Sequence, residues 1–277
     1  MKLSVCYNHI LLASEQTGLS LSEVLKQVRS MGIQSIGCSY EELAPFTIEM
    51  KLLLKASGLN ISCIYKHFDF GYEETGEAGY ELIDLAEHMG AKFVLVIPGF
   101  LKEEPGEKRE QAIMRMVEAL RLMCDYAKDK GITVTLEDYD NTCAPYTTAT
   151  EILWFMEQVP GLKHTFDTGN YRYLGEDEIE AFELLKDYIV YVHVKDRSTA
   201  MKGEELAKIA ADGTALFSTP VGAGIIKIKE ILEKLEAMGY EGILNIEHFD
   251  ASNQLEYIEQ STRWLLENIS ISSNKNT

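Results

Sequence analysis

Three carboxylates and one imidazole stand at or near the ends of short apolar runs. Glu137 closes ITVTLE, Asp167 closes KHTFD, His193 lies in IVYVHV and Glu247 closes ILNIE. If each run is a strand, its side chains alternate between two faces. Glu137 then shares a face with Thr133 and Thr135, Asp167 with Thr165, His193 with Tyr191 and Lys195, and Glu247 with Asn245. The opposite face of each run is apolar, as packing against helices requires. In a closed barrel the polar set points inward, and its last members reach one rim. Carboxylates held that close repel and raise one another's pKa. A divalent cation removes the conflict. Three oxygen donors and one imidazole suit Mn²⁺, Mg²⁺, Co²⁺ or Zn²⁺, and the oxygen-rich set favours Mn²⁺. The expected cofactor is therefore a divalent ion held by Glu137, Asp167, His193 and Glu247. Such a site keeps open positions for substrate or water.

Only a scaffold with many strand ends at one rim can gather these groups. Eight apolar runs recur: KLSVCY, SIGCSY, ISCIYKHF, AKFVLVIPG, ITVTLED, KHTFDTG, IVYVHVKD and ILNIEHFD. Between them lie segments with apolar residues at three- and four-residue spacing, such as LSLSEVLKQVRSMG and IKIKEILEKLEAMG. Repeatedly a helix-like segment ends at a glycine and a strand-like run follows at once. Strands that alternate with helices make a parallel sheet. Eight such units predict an α/β fold, a (β/α)8 TIM barrel in a single domain over residues 1–277. A polar tail is expected from about residue 268. A doubly wound open sheet fits less well, because no GxGxxG follows the first run. Residues 197–222 lengthen the last interval and are predicted to form a long loop over the mouth, a lid candidate.

Composition narrows the function. The chain has 277 residues and a net charge of −18. A surface this acidic repels phosphate backbones and anionic lipid, which argues against nucleic-acid and membrane roles. Five cysteines without a CxxC pair read as reduced thiols in a cytoplasmic protein. Asn8, His9 and Glu15 break up the N-terminal apolar stretch, which makes a poor signal peptide. A small-molecule substrate is the expected partner, with a homodimer or homotetramer as the expected assembly. His9 and His67 follow or end the first and third runs and are expected to line the mouth as substrate contacts. His164 and His248 fall on the outward face and read as structural. Lys195 could bind a substrate hydroxyl, or pair with a rim carboxylate.

TLED, TFDTGN, HVKD and NIEH follow one another in this order through almost the whole chain. With GAGIIKIKEILEKL they make the sequence similar to the xylose isomerase-like barrels. More narrowly it resembles the sugar phosphate isomerase/epimerase group, which includes ketose 3-epimerases, hydroxypyruvate isomerase and inosose dehydratase. The resemblance implies a (β/α)8 fold, a divalent metal and small polyhydroxylated carbonyl substrates. It gives the ligand role to Glu137, Asp167, His193 and Glu247, and an acid/base role to Glu137 and Glu247. Asn170 is expected to touch substrate. It stands where the sugar epimerases often carry a histidine, a departure that weakens a ketose 3-epimerase assignment. The expected activity is metal-dependent sugar isomerisation or epimerisation by proton transfer through an enediolate. A dehydratase of the inosose dehydratase type is the alternative, and a non-catalytic sugar-binding barrel is the third reading.

Overall fold

The computed structural model describes residues 1–102, 107–201, 203 and 205–269. Its strands are β1 (Lys2–Cys6), β2 (Ser35–Ser39), β3 (Asn60–His67), β4 (Phe93–Ile97), β5 (Thr133–Glu137), β6 (Lys163–Asp167), β7 (Ile189–Ser198), β8 (Lys208–Ile209), β9 (Ala215–Thr219) and β10 (Ile243–Glu247). The first seven pair in sequence order, and β10 pairs in parallel with both β7 and β1. That closes an eight-stranded parallel TIM barrel with helices outside it. Each predicted run falls on one barrel strand.

Local chemistry starts the helices where the sequence suggests. Ser20 caps Leu21–Ser30 by accepting from the Glu23 N–H, while Glu23 accepts from the Ser20 N–H. The same reciprocal pair, Thr148 and Glu151, opens Ala149–Gln158. The last helix, Gln254–Asn268, includes the start of the predicted tail, and Ile269 after it is buried. The remainder of that tail, residues 270–277, lies outside the described residues. Among the described residues no helix is long and apolar enough to cross a membrane.

Strand alternation sorts the core into two layers. Val5, Leu136, Phe166, Val194 and Ile246 are fully buried on the faces that meet the helices. Inside, buried hydroxyls satisfy one another. Thr165 Oγ1 donates to Thr135 Oγ1 at 2.8 Å, which donates to the Val94 carbonyl at 3.1 Å. Ser62 bonds both Ser4 and Tyr191, at 2.9 and 2.8 Å. Each such bond contributes a net of about 1 kcal/mol, and a broken one would leave a desolvated partner.

The segment 197–222 differs from its prediction. The loop carries a short ribbon within it. Strand β7 continues past the rim and pairs antiparallel with β9, which also pairs with β8. With two and five residues, β8 and β9 are too short to show a period in the sequence. Asp196 stitches the ribbon to the barrel. Its carboxylate accepts from the backbone N–H groups of Gly222, Gly224 and Ile226 at 2.9, 2.9 and 3.2 Å. A Cβ at Gly224 would lie 2.1 Å from Asp196 Oδ1, so only glycine fits there.

Candidate metal centre

Glu137, Asp167, His193 and Glu247 each offer a donor atom, and these atoms lie within 4.8 Å of one another. Strand register explains the convergence. Asp167 is level with His193, His193 with Asn245, and Lys195 with Glu247. All four donors are buried. His193 Nδ1 approaches Glu137 Oε1 at 2.5 Å and Glu247 Oε2 at 3.0 Å. Lys195 Nζ lies 2.5 Å from Glu247 Oε1 and 2.9 Å from Asp167 Oδ2. It also donates to Asn170 Oδ1 at 2.8 Å.

The electrostatics of the site are asymmetric. Burial pushes the Glu137 carboxyl up to about 7, against the pull of His193. Burial also lifts Asp167, with Lys195 pulling the other way. Burial would lift Glu247 too, but Lys195 and His193 overcome it and hold that carboxyl well below its usual range. Burial disfavours charge on His193 and Lys195 as well. Glu137 and Glu247 outweigh it for the imidazole, and Asp167 and Glu247 outweigh it for the ammonium. Three crowded, buried carboxylates beside one imidazole fit a hard divalent cation.

TFDTGN now has a physical account. Asp167 Oδ1 accepts from the N–H groups of Gly169 and Asn170 at 2.7 and 3.0 Å. That fixes the carboxylate and leaves Oδ2 facing Lys195. A Cβ on Gly169 would sit 2.8 Å from the Lys195 carbonyl oxygen, so glycine lets β7 pass. Asn170 donates from Nδ2 to the Asp138 carbonyl at 2.8 Å while accepting from Lys195. Asp138, which the pattern of alternation left unassigned, is fully buried, and its Oδ1 accepts from the Asp167 N–H at 3.0 Å. Burial, with Asp167 and Glu137 adding to it, pushes its carboxyl well above the usual range. A charged residue just past a strand end on the outward side was the available signal.

The cavity above the cluster measures about 290 Å³. His67, Asn170 and Lys195 line it together with Glu137, His193 and Glu247, whereas Asp167 lies beneath. His67 rests near the rings of Phe100 and Tyr139, at 6.3 and 6.1 Å between centroids. His9 does not line the cavity, contrary to expectation. The chain turns from β1 straight into the helix Tyr7–Thr17, where His9 is fully buried. There it stacks on His248, and its Nε2 accepts from the His248 N–H at 3.0 Å. The structural readings of His164 and His248 match their buried, outward positions. The mouth also holds residues not singled out by sequence, namely Tyr139, Asp140, Arg197 and Lys208.

A closed parallel barrel whose acidic and imidazole side chains meet at the carboxyl-terminal rim belongs to the TIM-barrel class. More narrowly, the chain belongs to the xylose isomerase-like TIM barrel family, whose model matches residues 25–268. An inosose dehydratase of Geobacillus thermodenitrificans (strain NG80-2) is 27% identical over 255 residues, covering 84% of this chain and 85% of its own. Another, from Lacticaseibacillus casei, is 27% identical over 211 residues, 70% of each chain. Among solved structures, an L-ribulose 3-epimerase superposes with a TM-score of 0.73 at 19% identity, covering 97% of this chain and 95% of its own. A xylose isomerase-like protein from Mycobacterium smegmatis, in complex with magnesium, gives 0.66 at 22% identity, covering 89% and 87%. At such identities the superpositions speak for the fold alone. These two curated relatives are dehydratases, which are lyases, whereas the sequence pattern points first to an isomerase.

Proposed function

We propose that the protein is a divalent-metal-dependent dehydratase that removes water from a polyhydroxylated ketone, the class to which inososes belong. The observation that carries this reading is the 2.5 Å contact between Lys195 Nζ and Glu247 Oε1 at the floor of the cavity. The inosose dehydratases that match most of this chain support it. Glu137, Asp167, His193 and Glu247 would hold the ion, with Mn²⁺ favoured by the donor set. When bound, it would polarise the substrate carbonyl and offset the charge that develops on that oxygen.

The chain's own residues then close a proton cycle. Glu247, held ionised, takes the proton from the carbon beside the carbonyl. The C–H electron pair forms the new C=C bond, and the C–O bond to the β-hydroxyl breaks. The departing hydroxyl takes a proton from Lys195 and leaves as water. Glu247 returns its proton to Lys195 across their contact, restoring the ion pair. Asn170, bonded to Lys195 Nζ at 2.8 Å, keeps the ammonium aimed at the cavity.

A second reading, epimerisation, draws on Glu137. This carboxyl is pushed up to about 7 and faces the same cavity. In this reading one of Glu137 and Glu247 takes the proton from the carbon beside the carbonyl, and the other returns a proton to the opposite face. The two readings separate by product. Purified protein with Mn²⁺ and a panel of polyhydroxylated ketones, inososes among them, is expected to give a product lighter by one water. Lys195→Met should abolish water loss while exchange of the α-proton with solvent deuterium persists. A product of unchanged mass would establish epimerisation instead. Neither product nor exchange from any ketone would leave a sugar-binding barrel.

A further inference from the structure

The cavity has two unlike walls. The metal-centre donors come from β5, β6, β7 and β10, which are neighbours in the closed barrel, so β1 to β4 form the facing half. Counted round the barrel, β3 stands four strands from β7 and so directly across from it. On the β7 side His193, Lys195, Glu137 and Glu247 already bond one another. The facing wall is mostly apolar, lined by Gly37, Cys63, Leu95 and Ile97. Within it stands one phenol, Tyr65 of β3, which shares its face of the strand with Cys63 and His67. Elsewhere inside the barrel the hydroxyls of Ser4, Ser62, Thr135, Thr165 and Tyr191 bond one another or a backbone carbonyl. The Tyr65 side chain is half-buried and lines the cavity, yet it forms no hydrogen bond among the described residues. Burial pushes its hydroxyl up, with Cys6 next in adding to that, so it keeps its proton and can both donate and accept. Tyr139, the other phenol of the cavity, follows the end of β5 beyond Glu137 and packs its ring against Phe100.

We infer that Tyr65 sets the specificity of the site by hydrogen-bonding the substrate hydroxyl that lies across the ring from the carbonyl. This inference rests on the polyhydroxylated ketone proposed above and adds which of its hydroxyls is read. With the carbonyl at the metal centre, a six-membered ring carries its opposite carbon toward β3. There Leu95 and Ile97 offer no hydrogen bond, and a thiol such as that of Cys63 offers only a weak one. A hydroxyl that misses Tyr65 meets apolar side chains and stays unpaired. A substrate without that hydroxyl leaves the phenol unpaired instead. Either mismatch costs affinity, because a site built to bond a hydroxyl rejects the analogue that lacks it.

Calorimetry on the Mn²⁺-saturated protein tests this without turnover. The probes are polyhydroxylated δ-lactams, whose amide carbonyl can meet the ion while the proton beside it is too weakly acidic to be removed. Xylono-δ-lactam is the parent. One analogue lacks the hydroxyl across the ring from the carbonyl, and a second lacks the hydroxyl next to that one. Wild type is expected to bind the parent about tenfold more tightly than the first analogue. Tyr65→Phe should weaken the parent by about tenfold, yet bind the first analogue at least as tightly as wild type does. That retained affinity is a result misfolding cannot produce, and Mn²⁺ affinity should not change. The second analogue should keep the loss caused by Tyr65→Phe. An equal loss for all the probes, or for none, overturns the inference, and so does the absence of lactam binding by wild type. None of these outcomes depends on the loss of water, so a protein that follows the expected pattern yet dehydrates no ketone overturns the dehydratase reading alone.

Discussion

The Glu137 carboxylate and the His193 imidazole meet at 2.5 Å, the shortest link between two of the four gathered donors. Burial pushes the first up to about 7, and the carboxylates keep the second protonated. A metal needs both deprotonated. Divalent ion binding near neutral pH is therefore expected to release at least one proton, and its affinity should rise with pH through about 7. Calorimetric titration with Mn²⁺ in two buffers of different ionisation enthalpy measures the release directly. Binding without proton release would show that these two groups are not the ligands.

Gly169 lies where β7 crosses behind Asp167. Gly169→Ala would bring a Cβ to 2.8 Å from the Lys195 carbonyl oxygen and force the two segments apart. Overpacking of this kind costs about 1–3 kcal/mol. Because Asp167 and Lys195 sit on the displaced segments, the expected result is a lower melting temperature together with weaker Mn²⁺ binding. Unchanged values for both would mean that the backbone yields there without strain.

Asp138 positions Asp167 through one hydrogen bond from the Asp167 N–H. Asp138→Ala should destabilise the protein by about 1–3 kcal/mol, the usual cost of leaving a buried donor unmet. Asp138→Asn keeps an acceptor and introduces no charge. Since burial already favours the uncharged carboxyl, its effect on stability should be small. Chemical denaturation of the two variants side by side decides this. Equal losses would remove the hydrogen bond as the cause.

Acid sensitivity follows from the buried histidines. Burial lowers His164 and His248 to about 4, and lowers His9 well below its usual range. Between about pH 4 and 6.5 the unfolded chain binds protons that the folded chain refuses. Stability must therefore fall as pH drops through that window, by about 1.4 kcal/mol per pH unit for each histidine. His164→Asn should make the slope shallower by about one proton. A slope equal to wild type would show that His164 is protonated in the folded state.

Most of the barrel was legible in the sequence because its signals are local. Each barrel strand is an apolar run beside turn chemistry, and alternation within ITVTLE, KHTFD and ILNIE sends the terminal carboxylate inward. What failed depended on where a run stops. Nothing in KLSVCYNHILL marks the change from strand to helix at Tyr7, so His9 was expected at the mouth although it is fully buried against His248. Asp138 sits one residue beyond a parity that describes only the strand. The ribbon was hidden by its brevity. Arg197 and Lys208 meet only because β9 folds back between their strands, a long-range pairing no local pattern records.

Strand β7 runs without a break from the barrel wall into the ribbon. His193 and Arg197 are thus fixed four residues apart on one backbone, roughly 13 Å of extended chain. That stretch acts as a ruler whose length hinge motion cannot change. Adding one residue would turn Arg197 outward, so the ruler can be lengthened only in two-residue steps. New substrates on this frame would be reached sooner by trading the side chains along the ruler than by altering its length.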